Sequence, residues 1–244
     1  MTTLQIDKVR GGYTSAEEIV KGIDLEVRSG DLAVIIGPNG AGKSTFLKLV
    51  AGLLRPTGGR ILLDGHELPA GNAQAACTRG LSFVPQERNV FATLSVRDNL
   101  LLGHYSVRGN ASRAMEQQLE RFPILKTRLK HPAGSLSGGQ RQVLAMALAL
   151  MTDPTVLLLD EPTAGLSPVA AEDTLRVVRR LADEGIAVLM IEQNAVLALR
   201  HGTRGIVLVG GEKARDKGAG ELGSDEEISQ LFLGGRKAFE TQRR

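Results

Sequence analysis

The stretch from Leu32 to Val50, "LAVIIGPNGAGKSTFLKLV", constrains this chain more than any other. It opens on "LAVIIG", apolar throughout, the pattern of a strand buried on both faces. It closes on "GKSTFLKLV", whose apolar residues fall at helical spacing. Between them, from Gly37 to Ser44, the spacing is G-x-x-x-x-G-K-S, and Thr45 follows. A strand that turns through glycines directly into a helix leaves first-turn N–H groups unpartnered and facing the turn. With the positive end of the helix dipole, they form a cradle for phosphate. The expected cradle is Gly37, Pro38, Asn39, Gly40, Ala41, Gly42, Lys43, Ser44 and Thr45. In such a loop the lysine, here Lys43, reaches the β- and γ-phosphates of a nucleotide, and the hydroxyl of Ser44 holds Mg²⁺.

The rest of the chain supplies an α/β frame for that loop. "TLQIDKV" and "IDLEVRSGD" alternate apolar and polar residues and then turn at Ser29-Gly30-Asp31, so they read as strands. "RPTGG" is a turn, followed by strands at "RILLDG" and "GLSFVPQ". Further on, strands "TVLLLDE", "IAVLMIE" and "GIVLVGG" alternate with helices "GGQRQVLAMALALM", "PVAAEDTLRVVRRLADEG" and "NAVLALRHG". Strand and helix in alternation imply a parallel sheet wound on both faces. Ser167-Pro168 starts a helix well, with a capping hydroxyl before a first-turn proline. Residues 87–138 differ: "SVRDNLLLGHY" and "ASRAMEQQLERF" read as amphipathic helices with no strand between, a helical insert. A last helix capped by Ser224 and a loose tail are expected over 225–244. The whole of 1–244 is expected to form one nucleotide-binding domain.

Composition excludes several classes. A chain of 244 residues, 42% hydrophobic and 23% charged, can bury a sizeable core in water. A net charge of +3, few aromatics and no Trp argue against a nucleic-acid stacking platform. The run "RVVRR" at 176–180 reads as a solvated helix face. The single cysteine, Cys77, excludes an internal disulfide framework and reads as a small, buried or half-buried residue. His66, His104, His131 and His201 lack metal-ligand spacing. The N-terminus has no apolar signal core, and the longest apolar run, "VLAMALALM", is far short of a membrane span. The expectation is a cytosolic protein that touches a membrane only through a partner or a surface patch.

Two more segments carry chemistry. In "TVLLLDEP" an apolar strand ends in Asp160 and Glu161, a pair that is costly to bury unless a cation or ligand answers it. Alternation along a strand would give the two acids different tasks. Asp160 suits Mg²⁺, directly or through water, and Glu161 suits the base that orients and polarises an attacking water. In "AGSLSGGQRQ", Ser137, Gly138 and Gly139 open another helix and could hold an anion. One nucleotide already has its phosphates in the first loop. The second cradle is explained if it grips the γ-phosphate of a nucleotide on another copy, in a head-to-tail pair with ATP between. The alternative is a glycine-rich helix cap.

"GPNGAGKST", "FVPQ", "LSGGQ" and "VLLLDEP", in this order and at these spacings, resemble the ATP-binding subunits of ABC transporters, over nearly the whole chain. The resemblance implies a P-loop NTPase core of the ABC ATPase type, with an antiparallel β-subdomain and a helical subdomain. It implies ATP and Mg²⁺ as ligands. By position, Tyr13 would stack on adenine, Gln86 would sense Mg²⁺ and the attacking water, Ser137 to Gln140 would form the signature, and Gln193 would take the γ-phosphate switch position. "VPQERNVFATLSVRDNLLLG", "LDEPTAGLSP", "IEQNAVLAL" and "LFLGG" resemble one branch, the ATPases of branched-chain amino-acid uptake; urea, amide and lipopolysaccharide transporters are the alternatives. Two positions depart from the general pattern: Ser167 stands where Asp is usual, and Gln193 where His is usual. The implied partners are transmembrane permease subunits, docked at Gln86 to Phe91, and a second ABC ATPase subunit, as a heterodimer or a homodimer. A periplasmic or extracellular binding protein would be met only indirectly, nucleic acid would not be a partner, and the chain would sit at the cytoplasmic face of the inner (plasma) membrane. A P-loop kinase would leave "LSGGQ" unexplained. A non-transport ABC ATPase is the alternative from another class; such proteins tend to carry coiled-coil arms or a fused second ATPase domain, and this chain has room for neither.

Overall fold

A computed structural model describes residues 1–223, so the helix and tail expected over 225–244 lie outside the described residues. Strands β1 (Thr3–Gly11), β2 (Val20–Arg28), β4 (Gly58–Leu63) and β5 (His66–Glu67) form an antiparallel sheet in the order β2-β1-β4-β5. Strands β3 (Leu32–Ile36), β6 (Leu81–Val84), β7 (Val156–Asp160), β8 (Ala187–Ile191), β9 (Arg204–Val209) and β10 (Glu212–Gly218) form a second sheet in the order β10-β9-β3-β8-β7-β6. Its strands run parallel except β10, which pairs antiparallel with β9. The helices are α1 (Lys43–Val50), α2 (Ala73–Thr78), α3 (Val96–Gly103), α4 (Ala111–Arg121), α5 (Pro123–Thr127), α6 (Gly138–Leu150), α7 (Pro168–Asp183), α8 (Ala195–His201) and α9 (Ala219–Gly223).

The central strands are apolar at every position because both of their faces are covered. Leu32, Val34, Ile36, Leu157, Leu159, Val188 and Met190 point into a core shared with α3 to α8. Their alternates Ala33, Ile35, Val156, Leu158, Leu189 and Ile191 point into a core shared with α1 and the antiparallel sheet. The parallel sheet is therefore covered by helices on one face and largely by the other sheet on its second face, where helices on both faces are expected from strand–helix alternation. All five residues of β3 have no exposed surface, and each of its Leu, Val and Ile side chains contributes about 1.5–3 kcal/mol by leaving water.

Caps fall where the sequence places them. Ser95 accepts the N–H of Asp98 at 3.1 Å, Ser167 that of Ala170 at 3.4 Å, and Asn194 that of Leu197 at 3.1 Å. Some boundaries differ. Gly58 and Gly59, expected in a turn, begin β4, and the second strand begins at Val20 rather than Ile23. The described residues contain no helix long and apolar enough to cross a membrane.

Candidate active site

Most of the candidate side chains gather at the C-terminal ends of β3, β6, β7 and β8. From β3 the chain turns through Gly37 to Gly42 into α1. Gly42 starts the helix with no side-chain cap among the described residues, so the first-turn N–H groups face the loop. Backbone approach shapes the turn: a Cβ on Gly37 would stand 2.2 Å from the carbonyl oxygen of Leu208. The β9–β10 hairpin turns at Gly210-Gly211, both at positive φ. It braces the loop from behind, because the Gly211 N–H donates to the Ala41 carbonyl at 3.1 Å and the Gly211 carbonyl accepts from Lys21 at 2.9 Å. A Cβ on Gly211 would lie 2.0 Å from the Ile19 carbonyl. Pro38, Asn39 and Gly40 form the exposed rim, whereas Gly37, Ala41, Gly42, Lys43 and Thr45 are buried.

Lys43 curls back over the loop, its Nζ donating to the carbonyls of Gly37 at 2.8 Å and Pro38 at 3.1 Å. Burial pushes its ammonium below the ordinary lysine range, against the pull of the nearby Glu161 and Asp160 carboxylates. The Ser44 hydroxyl donates to Asp160 Oδ1 at 3.1 Å. Burial pushes the Asp160 carboxyl above the ordinary range; the Ser44 hydrogen bond opposes this, Glu161 adds to it, and Lys48 and Lys43 oppose it.

Glu161 differs from Asp160 for a reason other than strand alternation. Asp160 is the last residue of β7, and Glu161 leaves the strand at a left-handed φ of 49°. The expected alternation does not operate here; the backbone swing turns the Glu161 carboxylate toward two glutamines. Gln86, after β6, donates from Nε2 to Glu161 Oε2 at 2.9 Å, and Gln193, after β8, donates from Nε2 to the same oxygen at 2.6 Å. One carboxylate thus gathers the ends of three strands.

Tyr13 lies between β1 and β2, 55% exposed, with the Lys48 ammonium 5.5 Å from its ring centroid. That places the ring beside α1. Ser137 to Gln140 stand apart, at the start of α6. None of their side chains is hydrogen-bonded to the cluster among the described residues. Instead they form a capping box: the Gln140 N–H donates to Ser137 Oγ at 3.3 Å, and the Ser137 N–H donates to Gln140 Oε1 at 3.1 Å. A Cβ added at Gly138 would stand 3.2 Å from Leu166, and one at Gly139 3.3 Å from Ala170, so this end of α6 packs against the segment that follows Glu161. Within one chain, the second cradle is a helix cap.

Sequence reasoning assigned nothing to Glu192, the residue before Gln193. It is 2% exposed, and burial pushes its carboxyl above the ordinary range, opposed by hydrogen bonds from Thr163 and Gln193. The signal was available in "IAVLMIE", an apolar strand ending in an acid, as "TVLLLDE" does.

This site offers one ammonium, a run of N–H groups, a hydroxyl beside a carboxylate, and a second carboxylate held by amides. The N–H groups and ammonium suit phosphate, and the hard oxygen ligands of Ser44 and Asp160 suit a divalent cation such as Mg²⁺. No group of three or more metal-ligating His, Cys, Asp or Glu occurs among the described residues, so a cation here would need oxygens from the phosphates as well.

Known proteins share this fold. The profile of the ABC transporter family matches residues 20–164. The chain is 35% identical to the high-affinity branched-chain amino acid transport ATP-binding protein BraG of Pseudomonas aeruginosa, over 95% of this chain and 100% of that protein. It is 36% identical to the probable branched-chain amino acid transport ATP-binding protein LivF of Archaeoglobus fulgidus, over 95% of this chain and 98% of the other. It is 32% identical to the lipopolysaccharide export system ATP-binding protein LptB of Escherichia coli, over 96% and 98%. Among solved structures, a nucleotide-free ATP-binding cassette from an ABC transporter superposes with a TM-score of 0.85 at 25% identity, over 96% of this chain and 100% of that one. A dimeric post-hydrolysis state of an ATP-binding cassette bound to ADP and Pi superposes with a TM-score of 0.76 at 26% identity, over 88% and 98%. A strand-end cluster that can seat phosphate and hold a base, with these matches along nearly its whole length, means that this chain belongs to the ABC transporter family, as an ATP-hydrolysing subunit of a transporter.

Proposed function

We propose that the chain energises uptake of branched-chain amino acids by hydrolysing ATP at the cluster around Glu161. The observation that carries the hydrolytic part is the Glu161 carboxylate, which takes hydrogen bonds from both Gln86 and Gln193 and lies near Lys43. A carboxylate held by two amides keeps its position while one oxygen stays available to accept a proton from water. In this reading the loop from Gly37 to Thr45 binds the phosphates and Tyr13 stacks on the base. Ser44 and Asp160, with Gln86, would hold Mg²⁺, which supplies positive charge for the phosphate oxygens when bound. Gln193 stands in the switch position; its amide carries two N–H donors, so one can serve Glu161 and the other the γ-phosphate. Ser137 to Gln140 serve the nucleotide of a second ATPase subunit, a related chain or a second copy.

The cargo reading rests on BraG and LivF, both named for branched-chain amino acid transport. Lipopolysaccharide export is the second reading, from the likeness to LptB. Transmembrane permease subunits would dock at Gln86 to Phe91, where Phe91 is 55% exposed, and hold the chain at the cytoplasmic face of the membrane. A binding protein would act only through the permease. Residues 87–138 would be the helical subdomain of a single ATP-binding domain.

Phosphate release tests the site. Lys43→Ala should weaken ATP binding, and Glu161→Gln should keep it while lowering turnover about 10²–10⁴-fold, the range for loss of a general base. A Glu161→Gln variant that turns over at near the parent rate removes the base. Uptake of labelled leucine into vesicles holding the permease tests the cargo.

A further inference from the structure

Glu192 is a buried acid that the hydrolytic reading leaves idle. It follows β8 directly, and among the described residues no lysine, arginine or histidine is paired with it. A buried carboxylate without a cation is unfavourable unless hydrogen bonds answer it. Here two backbone donors converge on it: Oε1 accepts the Thr163 N–H at 2.9 Å, and Oε2 accepts the Gln193 N–H at 3.3 Å.

Those two donors belong to the two segments that meet at Glu161. Thr163 is inside the tight loop after β7, where the Ala164 N–H donates to the Glu161 carbonyl at 3.1 Å and the Leu166 N–H to the Thr163 carbonyl at 3.2 Å. Gln193 reaches Glu161 with its side chain. The loop also carries the left-handed residue Glu161, a conformation that persists only where its surroundings hold it. A ring closes from Glu161 along the loop to Thr163, across to Glu192, on to Gln193, and back to Glu161. Only an acceptor on both oxygens completes it; an amide would turn its NH₂ against one of the two N–H groups. The same residues line a cleft of about 260 Å³ with Leu166 and Leu197, so the loop has open space beside it and little packing to fix it on that side.

We propose that Glu192 is a positioning residue of the hydrolytic site: by tying Thr163 to Gln193 it sets where the Glu161 carboxylate stands. This rests on the reading of Glu161 as the base and Gln193 as its partner.

Steady-state ATP hydrolysis by the full chain tests it, with each variant's ATP binding and melting recorded alongside. Glu192→Gln keeps the shape and removes one of the two acceptors. It should lower kcat by up to about tenfold, the effect of one hydrogen bond. The KM for ATP should stay within about twofold, because the loop from Gly37 to Thr45 has no bond to Glu192. In a Gln193→Ala background the same change should lower kcat by less than about twofold, since the backbone tie remains but the ring is already open where the Gln193 side chain met Glu161. Glu192→Asp keeps the charge but withdraws both oxygens by one methylene. It should fall in the same way, and it decides the matter if Glu192→Gln does not fold. Parent-like kcat in the Glu192 variants, a KM that rises as kcat falls, or effects that multiply with Gln193→Ala would each overturn the positioning role. Glu161→Gln and Gln193→Ala, run beside them, report on the underlying reading. If both are impaired while the Glu192 variants are parent-like, only the positioning role falls; if either is parent-like, the reading beneath it falls as well.

Discussion

Ser137 has two separable tasks in this account, and one substitution pair can pull them apart. In the single chain its hydroxyl caps α6, as half of the capping box with Gln140. Opposite a second subunit it would meet a γ-phosphate. Ser137→Ala removes the cap, which typically costs about 1 kcal/mol and, for a chain of this size, about 2–4 °C in Tm. Ser137→Asp restores the cap, since aspartate is as good an N-cap as serine and suits the positive end of the helix. It also places a negative charge where the phosphate would lie. Two like charges about 4 Å apart at an effective dielectric of 20 repel by about 4 kcal/mol, roughly a 10³-fold effect. The two orders therefore cross. By melting, Ser137→Asp should equal or exceed the parent and Ser137→Ala should fall below it. By phosphate release and ATP-dependent dimerisation on gel filtration, Ser137→Ala should lose up to about tenfold and Ser137→Asp should be close to inactive. A Ser137→Asp variant that hydrolyses ATP within about threefold of the parent would refute the second task and leave Ser137 as a helix cap alone.

The same site bears on stability against pH. Burial raises the Asp160 carboxyl above its ordinary range, so its contribution to stability is present below the unfolded value of about 3.9 and is lost as pH rises through the folded value. Asp160→Asn should therefore melt higher than the parent at pH 8, with the gap closing toward pH 4, while Mg²⁺-dependent hydrolysis is lost; equal melting at pH 8 would contradict the raised carboxyl. Phe91→Asp should leave folding and ATP binding intact, with stability changed by less than about 0.5 kcal/mol, because Asn99 rather than the Phe91 ring holds this backbone, accepting its N–H at 2.8 Å and donating to its carbonyl at 3.0 Å. Transport by the assembled system should fall, and undiminished transport would remove Phe91 from the permease contact.

Elements with a strong period were legible in the sequence. β3, β7 and β8 announce themselves as unbroken apolar runs because both faces of each are covered, and the helices capped by Ser95, Ser167 and Asn194 begin where those residues stand. β10 was missed because "EKARDKG" is polar along its length, as an edge strand can be; the Gly210-Gly211 pair before it was the hairpin signal. α2 and α5 were missed because six and five residues are too few to show a period. In the site, the phosphate loop and the acids of β7 follow from local pattern. What pattern could not supply was their meeting: Gln86 and Gln193 are 107 residues apart in the chain, and only the order of strands brings both to one oxygen of Glu161. Glu192 was hidden for the same reason, since its partner Thr163 comes from the neighbouring strand's loop.

The two close backbone approaches behind the phosphate loop govern which mutations a second mutation can repair. A side chain added at Gly138 or Gly139 meets Leu166 or Ala170, and a smaller residue there makes room. At Gly37 and Gly211 the obstacle is a carbonyl oxygen, of Leu208 and Ile19 respectively, and every amino acid carries that atom. No substitution at the opposing position relieves the clash. A suppressor screen begun from Gly138→Ala has somewhere to go, whereas one begun from Gly211→Ala can return only revertants or changes that move whole strands. The loop's shape is thus written in the main chain of three separate segments, and sequence drift around it has no side-chain route by which to alter it.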